Sequence, residues 1–376
     1  MSGIYIHIPF CKRRCRYCDF YSTTLLHQAE AYVEAACREM QRRRDYLQGT
    51  QVQTLYIGGG TPSQLSPALL SRLITTAASV FQFSTLTELT IEANPDDITP
   101  QWVDGIRAAV APFCQPRISM GVQTFDDDTL RLIGRRHDAQ QAIHAVELLR
   151  QYGISEISID LIYGLPGETA ERWQSDLQQA VSLHVPHLSA YHLTYEEGTP
   201  LWQMRNRGEV SEVSEDRSVS DFRLLRHTLL SAGYEHYEIS NFALPGHHAR
   251  HNSSYWSGVP YIGIGPGAHS YDGHSRQWNQ PDLARYIAGT STLEEERLTP
   301  DERYDEYIMT RLRTSRGISL QEIESLFGQV RRSYCLSRAQ TYLLSHRLAE
   351  TPDGRIALTE EGIFVSDGII ADLFAE

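Results

Sequence analysis

The sequence IYIHIPFCKRRCRYCDF occupies residues 4–20, close to the amino terminus. It opens with IYIHI, in which Ile alternates with Tyr and His, a period-two pattern that is typical of a β-strand. Three cysteines, Cys11, Cys15 and Cys18, then follow within eight residues. A secreted disulfide framework spreads its cysteines through the chain, so this crowding favours metal ligands or redox chemistry.

Three clustered thiols are compatible with two kinds of metal site. A closed zinc site needs a fourth ligand, and His7 is the nearest candidate, but its place in an alternating strand is more typical of a packed side chain. An iron–sulfur cube needs one ligand for each of four irons, and an exogenous ligand can take the fourth position. The spacing therefore favours an iron–sulfur cluster, with zinc as the alternative. The scattered Cys37, Cys114 and Cys335 predict small buried side chains.

Short β-rich runs alternate with longer amphipathic stretches through the first half of the chain. The predicted strands are 4–8, 54–58, 89–93, 117–122, 157–163 and 188–193. The clearest helical patterns are 31–47, 170–184 and 216–231. Strands that alternate with helices form βα units and a parallel sheet. Six such units predict either a doubly wound sheet or an incomplete barrel.

Polar or glycine-rich residues follow each of the six predicted strands. They are the three cysteines, GGGTP at 58–62, Glu92 with Asn94, Gln123, Asp160 with GLPG at 164–167, and Tyr191 with His192. In βα barrels the chemistry lies on the loops at the carboxyl ends of the strands. Because every strand contributes at that one end, we expect an α/β fold built as an incomplete, TIM-like (β/α)6 barrel.

The second half of the chain departs from the βα pattern. We expect a barrel over 1–240, a His/Tyr/Gly-rich extension over 241–299 with a linker at 280–300, and a smaller module over 300–376. The last region shows helical patterns and then a hairpin around Asp353, an order that resembles a winged-helix module. It carries 9 Arg and no Lys against 13 Asp and Glu. This balance favours a structural or partner-docking role over DNA binding.

The charge of the whole chain limits its partners. Its 376 residues include 34 Lys and Arg against 47 Asp and Glu, a net charge of −13. An acidic surface repels phosphate backbones, which excludes general nucleic-acid binding. No apolar run reaches the roughly 18 residues that span a bilayer, and MSGIYIHIPF lacks the pattern of a signal peptide. We therefore expect a soluble, cytoplasmic protein without a transmembrane segment.

Six motifs occur in order along the chain: IYIHIPFCKRRCRYCDF, YIGGGTPS, IEANPDDIT, ISMGVQTFDDDTLRLIGR, IDLIYGLPGET and HNSSYW. The CxxxCxxC spacing after the first strand, with GGGTP after the second, resembles the radical S-adenosylmethionine (radical SAM) superfamily. The ordered set resembles its coproporphyrinogen dehydrogenase-like subgroup, and within it the HemW-type heme chaperones. The resemblance covers most of the chain, including the C-terminal module.

The resemblance implies a [4Fe–4S] cluster on Cys11, Cys15 and Cys18, with S-adenosylmethionine bound to the fourth iron. The positions it implies for S-adenosylmethionine contact are Tyr5, Tyr17, Gly59, Gly60, Thr61, Glu92, Gln123, Arg135 and Asp160. Carboxylates suit a cation and ribose hydroxyls, and glycine permits close approach of the backbone to a ligand. An ordinary hydrogen bond or cap at the barrel rim is the alternative for each position. One or two S-adenosylmethionine molecules fit the resemblance.

The segment HNSSYW, residues 251–256, matches the HNxxYW motif of the HemW-type proteins. His251 offers an imidazole for heme iron, and Tyr255 and Trp256 offer rings that stack on a porphyrin. We therefore predict that these three residues bind heme. A packed loop with a hydrogen-bonded His251 is the alternative. Other histidines that lie near in the sequence are His247, His248, His269 and His274.

Phe20 distinguishes this chain from related oxidases. The oxygen-independent coproporphyrinogen oxidases resemble CxxxCxxCxC after a long leading segment, whereas here Phe20 stands two positions beyond Cys18 and Cys11 is near the start. The leading prediction is a heme chaperone that transfers heme to an acceptor protein. A coproporphyrinogen oxidase or related radical enzyme acting on porphyrin is the alternative. The basic residues 12–14 are either a solvated face or a docking site for an acidic, flavodoxin-like electron donor.

Overall fold

The computed structural model describes residues 2–84, 86–291 and 293–375. The strands are β1 (Ser2–Ile8), β2 (Val52–Gly59), β3 (Glu88–Ala93), β4 (Pro116–Gln123), β5 (Ile157–Tyr163), β6 (His187–His192), β7 (Glu235–Glu238), β8 (Asn241–Ala243), β9 (Tyr261–Ile264), β10 (His269–Tyr271), β11 (Ser275–Asn279), β12 (Leu293–Arg297), β13 (Leu348–Glu350) and β14 (Ile356–Leu358). The helices are α1 (Ala29–Arg42), α2 (Pro67–Phe81), α3 (Pro100–Val110), α4 (Asp127–Ile133), α5 (Ala139–Gln151), α6 (Ala170–Ser182), α7 (Pro200–Asn206), α8 (Glu215–Ser231), α9 (Arg250–Trp256), α10 (Leu283–Ala288), α11 (Pro300–Leu312), α12 (Leu320–Leu344), α13 (Glu360–Ile363) and α14 (Ser366–Asp372).

Strands β1 to β6 lie side by side in chain order and pair in parallel. Each coincides with one of the six predicted strands, so the prediction of a parallel α/β fold is confirmed. Alternate residues serve two surfaces: Ile4, Ile6 and Ile8 are fully buried in the main hydrophobic core, while Tyr5 and His7 project to the other face. The interior of the barrel is consequently polar.

The sheet continues beyond both edges of the six-stranded unit without closing. Its order in the described residues is β12-β11-β10-β9-β1-β2-β3-β4-β5-β6-β8-β7. β9 runs parallel to β1, whereas β8 runs antiparallel to β6. The two outer strands, β12 and β7, are not paired with each other. This arrangement agrees with the prediction of an incomplete barrel.

The prediction of a linker at 280–300 was wrong. The segment contains α10 and β12, and β12 pairs antiparallel with β11 along its whole length. β12 has the sequence LEEER and all five residues are exposed, so it shows neither an apolar stripe nor alternation. The domain boundaries at 240 and 299 stay a prediction.

Glu39 of α1 fastens the β9–β12 extension to the barrel. Its buried carboxylate accepts hydrogen bonds from the Gly265 amide (3.0 Å), the Asn279 amide group (2.7 Å) and the Tyr286 hydroxyl (2.6 Å). Arg43 pairs with it at 3.1 Å and also donates to the Gly263 carbonyl at 2.8 Å. A charge buried this deeply is tolerable because all of its partners are present.

The C-terminal module has its own hydrophobic core, which includes Tyr304, Ile308 and Leu312 of α11. The expected order of helices followed by a hairpin is confirmed, because β13 and β14 pair antiparallel after α12. α12 is interrupted at Gly328, where φ is 86°. The module is joined to the barrel by the Ile239 amide, which donates to the Arg313 carbonyl at 3.0 Å.

Among the helices formed by the described residues, none is both long and apolar enough to cross a membrane.

Replacement of Glu39 by alanine is expected to lower the free energy of unfolding by about 3–5 kcal/mol, because it leaves the largely buried Arg43 without its counter-ion and removes the acceptor of three buried donors. Glu34 of the same helix forms an exposed pair with Arg38 and provides the matched control. Glu34→Ala should cost at most about 1 kcal/mol. Denaturant titration of both variants measures the difference, and equal small losses would contradict the anchoring role of Glu39.

Candidate cluster and ligand site

The three clustered cysteines lie on the loop that follows β1. Cys11 is buried, and Cys15 and Cys18 are partly buried. Burial raises the pKa of Cys18 to about 11 and raises the pKa of Cys11 above its ordinary value. Their thiolates therefore require nearby positive charge, which a bound metal centre supplies.

Two side chains donate hydrogen bonds to the cysteine sulfurs. The Thr61 hydroxyl lies 3.4 Å from the sulfur of Cys11, and the Arg135 guanidinium lies 3.4 Å from the sulfur of Cys15. Tyr17 lies against Cys15 and Arg135, and burial raises the pKa of its phenol. Donors of this kind stabilise sulfur-borne negative charge, so the loop is prepared for thiolate ligands.

The partners of His7 bear on the choice between a cluster and a single zinc ion. Within the described ranges, no three His, Cys, Asp or Glu side chains converge on one ion position. His7, the candidate fourth zinc ligand, has both ring nitrogens engaged, with the Tyr5 hydroxyl at 3.1 Å and the Tyr21 carbonyl at 2.9 Å. His7 already has two partners and does not complete a zinc site with the cysteines, whereas a cube accepts each cysteine on a separate iron.

The glycine loop after β2 packs directly against the cysteine loop. Gly59 has φ 109°, and a Cβ there would lie 2.5 Å from the ring of His7. A Cβ on Gly60 would lie 2.8 Å from the Phe10 carbonyl oxygen and 3.1 Å from the sulfur of Cys11. The contact of Gly59 with β1 and the contact of Gly60 with the cysteine loop already account for both glycines. Their predicted contact with S-adenosylmethionine stays a prediction.

Two carboxyl groups line one small cavity inside the barrel, Glu92 near the carboxyl end of β3 and Asp160 at the middle of β5. Glu92 accepts hydrogen bonds from the Tyr56 hydroxyl (2.7 Å) and the Gly59 amide (3.0 Å), yet burial raises its pKa to about 7. Burial likewise raises the pKa of Asp160 to about 6, and its charge further raises that of Glu92. A cationic ligand would relieve this repulsion, so the pair favours a positively charged molecule.

Arg135 connects the cysteine loop to the ends of β3 and β4. It donates to the Asn94 side-chain oxygen at 2.7 Å and also to the Gly121 carbonyl. Next to this contact, Gln123 adopts a left-handed conformation with φ 71° at an irregularity in the β4–β5 pairing. Strained backbone of this kind concentrates at functional sites.

The structure thus gathers the nine predicted S-adenosylmethionine positions around the cysteine loop and the adjoining interior of the barrel. Those within reach of the cysteine loop or of the interior carboxyl groups are Tyr5, Tyr17, Gly59, Gly60, Thr61, Glu92, Gln123, Arg135 and Asp160. Tyr56 was missed as a site residue. The alternation in TLYIG placed it on the same face as Gly58 and would have identified it.

The HNxxYW segment lies at the opposite end of the barrel. It forms α9, and His251 contacts Thr54 and Glu88, which stand near the starts of β2 and β3. A Cβ on Gly3, near the start of β1, would lie 3.2 Å from the His251 ring. The segment therefore covers the amino ends of the strands, whereas the cysteines follow the carboxyl end of β1, and its Asn252 lines the interior cavity that Glu92 and Asp160 also line.

His251 is fully engaged within the protein. One ring nitrogen lies 2.8 Å from the Thr54 hydroxyl and the other lies 2.8 Å from the Tyr255 hydroxyl, while the ring stacks on Tyr56. Burial lowers its pKa to about 3, so the ring is neutral. Iron ligation by His251 stays a prediction, and it would require the loss of one of these hydrogen bonds.

Comparison with known proteins agrees with this geometry. Residues 5–180 match the Radical SAM superfamily, and residues 298–365 match the HemN C-terminal domain. The chain is 35% identical over 373 residues to the heme chaperone HemW of Lactococcus lactis, which covers 98% of this chain and 96% of that protein. It is 39% identical to the heme chaperone HemW of Escherichia coli over 71% of this chain and 69% of that protein.

Among solved structures, the fold is similar to that of coproporphyrinogen III oxidase (HemN) from Escherichia coli, a radical SAM enzyme. The TM-score is 0.84 at 24% identity, over 100% of this chain and 90% of that one. This likeness shows the fold, including the C-terminal module.

Binding of S-adenosylmethionine is expected to tighten about tenfold between pH 6 and pH 8 through Glu92, whose pKa is about 7. The cationic ligand favours the ionised carboxylate, which is mostly protonated below that pKa and mostly ionised above it. In Glu92→Gln, the affinity for S-adenosylmethionine should rise less steeply with pH, because the contribution of the Glu92 carboxylate is lost. The amine of the ligand titrates equally in both proteins, so the difference between their slopes isolates Glu92.

Anaerobic calorimetry at several pH values measures these slopes. Parallel slopes in the wild type and Glu92→Gln would show that Glu92 does not sense the charge of the ligand.

Proposed function

Since the chain belongs to the HemW family of heme chaperones within the radical SAM superfamily, we propose that it binds heme and delivers it to an acceptor protein. The observation that carries this proposal is the match to HemW of Lactococcus lactis, which extends over almost the full length of both chains. That match includes the barrel, the HNxxYW segment and the C-terminal module together. The cofactors of the family are a [4Fe–4S] cluster and S-adenosylmethionine.

In this proposal Cys11, Cys15 and Cys18 hold three irons of the cluster. When bound and reduced, the cluster would supply an electron for cleavage of a carbon–sulfur bond of S-adenosylmethionine. Thr61 and Arg135 donate to the ligand sulfurs and so lower the charge that the cluster presents. The interior carboxyl groups, described above, hold the cationic ligand by charge and hydrogen bonds.

The basic residues 12–14 are exposed on the cysteine loop, and Lys12 is the only lysine of the sequence. On a chain with net charge −13 they form a local positive surface next to the predicted cluster. Phe20, with 65% of its surface exposed, lies on the same loop. We infer that an acidic, flavodoxin-like electron donor docks here, because opposite charge steers such a partner to the cluster.

Anaerobic reconstitution should give about four irons per chain in the wild type. Cys11→Ala, Cys15→Ala and Cys18→Ala combined should remove them, because the cluster loses all of its protein ligands. Cys37→Ala changes a buried cysteine outside the loop and should retain the iron. Iron and sulfide analysis together with EPR of the reduced protein decides the matter. A full cluster in the triple variant would refute the ligand assignment.

The proposed function predicts that the protein transfers heme to the acceptor without altering it chemically. Heme-loaded protein, mixed anaerobically with reductant, S-adenosylmethionine and a heme-free cell extract, should pass intact heme to a heme-stainable acceptor. Coproporphyrinogen III in place of heme should not be decarboxylated, since Phe20 stands where the oxidases carry a further cysteine. Chromatography of the porphyrins gives the answer. Catalytic formation of protoporphyrinogen would establish the oxidase alternative instead.

A further inference from the structure

A cleft separates the HNxxYW helix from the C-terminal module. One wall is formed by α9, β9 and β10, and the other by α11 and α12. Its volume is about 460 Å³, which is in the range of cavities that hold cofactors. The first wall presents four aromatic side chains: Tyr255, Trp256, Tyr261 and Tyr271. Rings of this size and number suit a flat, apolar ligand.

The charge of the cleft differs in sign from that of the chain. Three arginines line it, Arg276, Arg303 and Arg311, against a single acidic residue, Glu306, which pairs with Arg276. Arg311 is held by the carbonyl oxygens of Trp256 (2.7 Å) and Ser257 (3.1 Å), so the module is tied to the end of α9 at this point. A net positive lining on an acidic protein favours a ligand that carries carboxylates.

The cleft also contains side chains of the kinds that ligate heme iron. Tyr271 and Met309 both line it, and tyrosine and methionine are both known axial ligands. His251 does not line the cleft. Its ring instead lies 2.8 Å from the hydroxyl of Tyr255, whose own ring packs edge-on against Tyr261 at 4.6 Å between centroids.

We propose that heme binds in this cleft, with the porphyrin against Tyr255 and Trp256 and its propionates towards Arg303 and Arg276. His251 is a positioning residue that orients Tyr255 and does not ligate the iron. The C-terminal module is then the second wall of the heme site. This inference rests on the proposed function and gives it a location.

Paired surface variants test the location without disturbing the core. Leu326, 56% exposed, lines the cleft, whereas Val330, 83% exposed on the same helix, does not. Leu326→Glu should weaken heme binding at least tenfold by placing a negative charge against the porphyrin and propionates, and Val330→Glu should not. Arg303→Ser should weaken binding similarly, and Arg297→Ser, at a 90% exposed arginine outside the cleft, should not.

A heme titration of the full-length, cluster-loaded protein gives these affinities, with circular dichroism as the check on folding. Wild-type protein that binds no heme would refute the proposed function itself. Wild-type protein that binds heme with all four variants unchanged would refute only the cleft.

His251→Gln separates positioning from ligation. If His251 only orients Tyr255, the variant should bind heme more weakly, and its Soret maximum and the EPR spectrum of its ferric heme should equal those of the wild type. A shifted Soret band with a new spin state would show that His251 ligates the iron, and would overturn the assignment of its role.

Discussion

The pairing of β1 with strands on both of its sides is the constraint on which the rest of the structure depends. β2 and β9 both run parallel to β1, so the first strand is an interior strand of the sheet. Its carboxyl end therefore projects the cysteine loop over the glycine loop of β2, and its amino end is covered by α9. The Glu39 carboxylate holds β9 next to β1, because it accepts a hydrogen bond from the Gly265 amide directly after β9. The cluster ligands thus follow one end of β1, and the HNxxYW helix covers its other end.

The polar residues inside the barrel have different partners near the cysteine loop and near α9, so the two ends of the barrel differ in their capacity to bind a ligand. Towards the cysteine loop, Glu92 and Asp160 line one interior cavity in which burial raises both pKa values, so added positive charge would stabilise their ionised carboxylates. At the amino end, every polar atom of the His251 ring already has a protein partner. The carboxylates near the cysteine loop therefore favour a cation, whereas the His251 ring has no free polar atom for a ligand. A ligand of the HNxxYW segment must use the outward side of α9, which is the side that faces the cleft.

The sequence predicted the six strands and the site at their carboxyl ends because both depend on local patterns. Isoleucine alternation identifies β1, and the residues after each strand meet at one edge by the geometry of parallel strands. The linker at 280–300 was misjudged because LEEER pairs as an exposed edge strand with no apolar periodicity. The position of His251 in the fold could also not be predicted from the sequence. Its partners, Thr54 and Glu88, lie more than 150 residues away, and no local pattern reports such contacts.

The separation of heme and cluster tests this account most directly. From Gly3 to Ile8, β1 alone spans roughly 16 Å at about 3.3 Å per residue, and heme and cluster are placed beyond its two ends. Manganese(II) protoporphyrin can replace heme as a paramagnetic probe, and pulsed EPR with the reduced cluster measures its distance. The account predicts a separation above about 16 Å. A distance below about 10 Å would place the porphyrin at the cysteine end and contradict it.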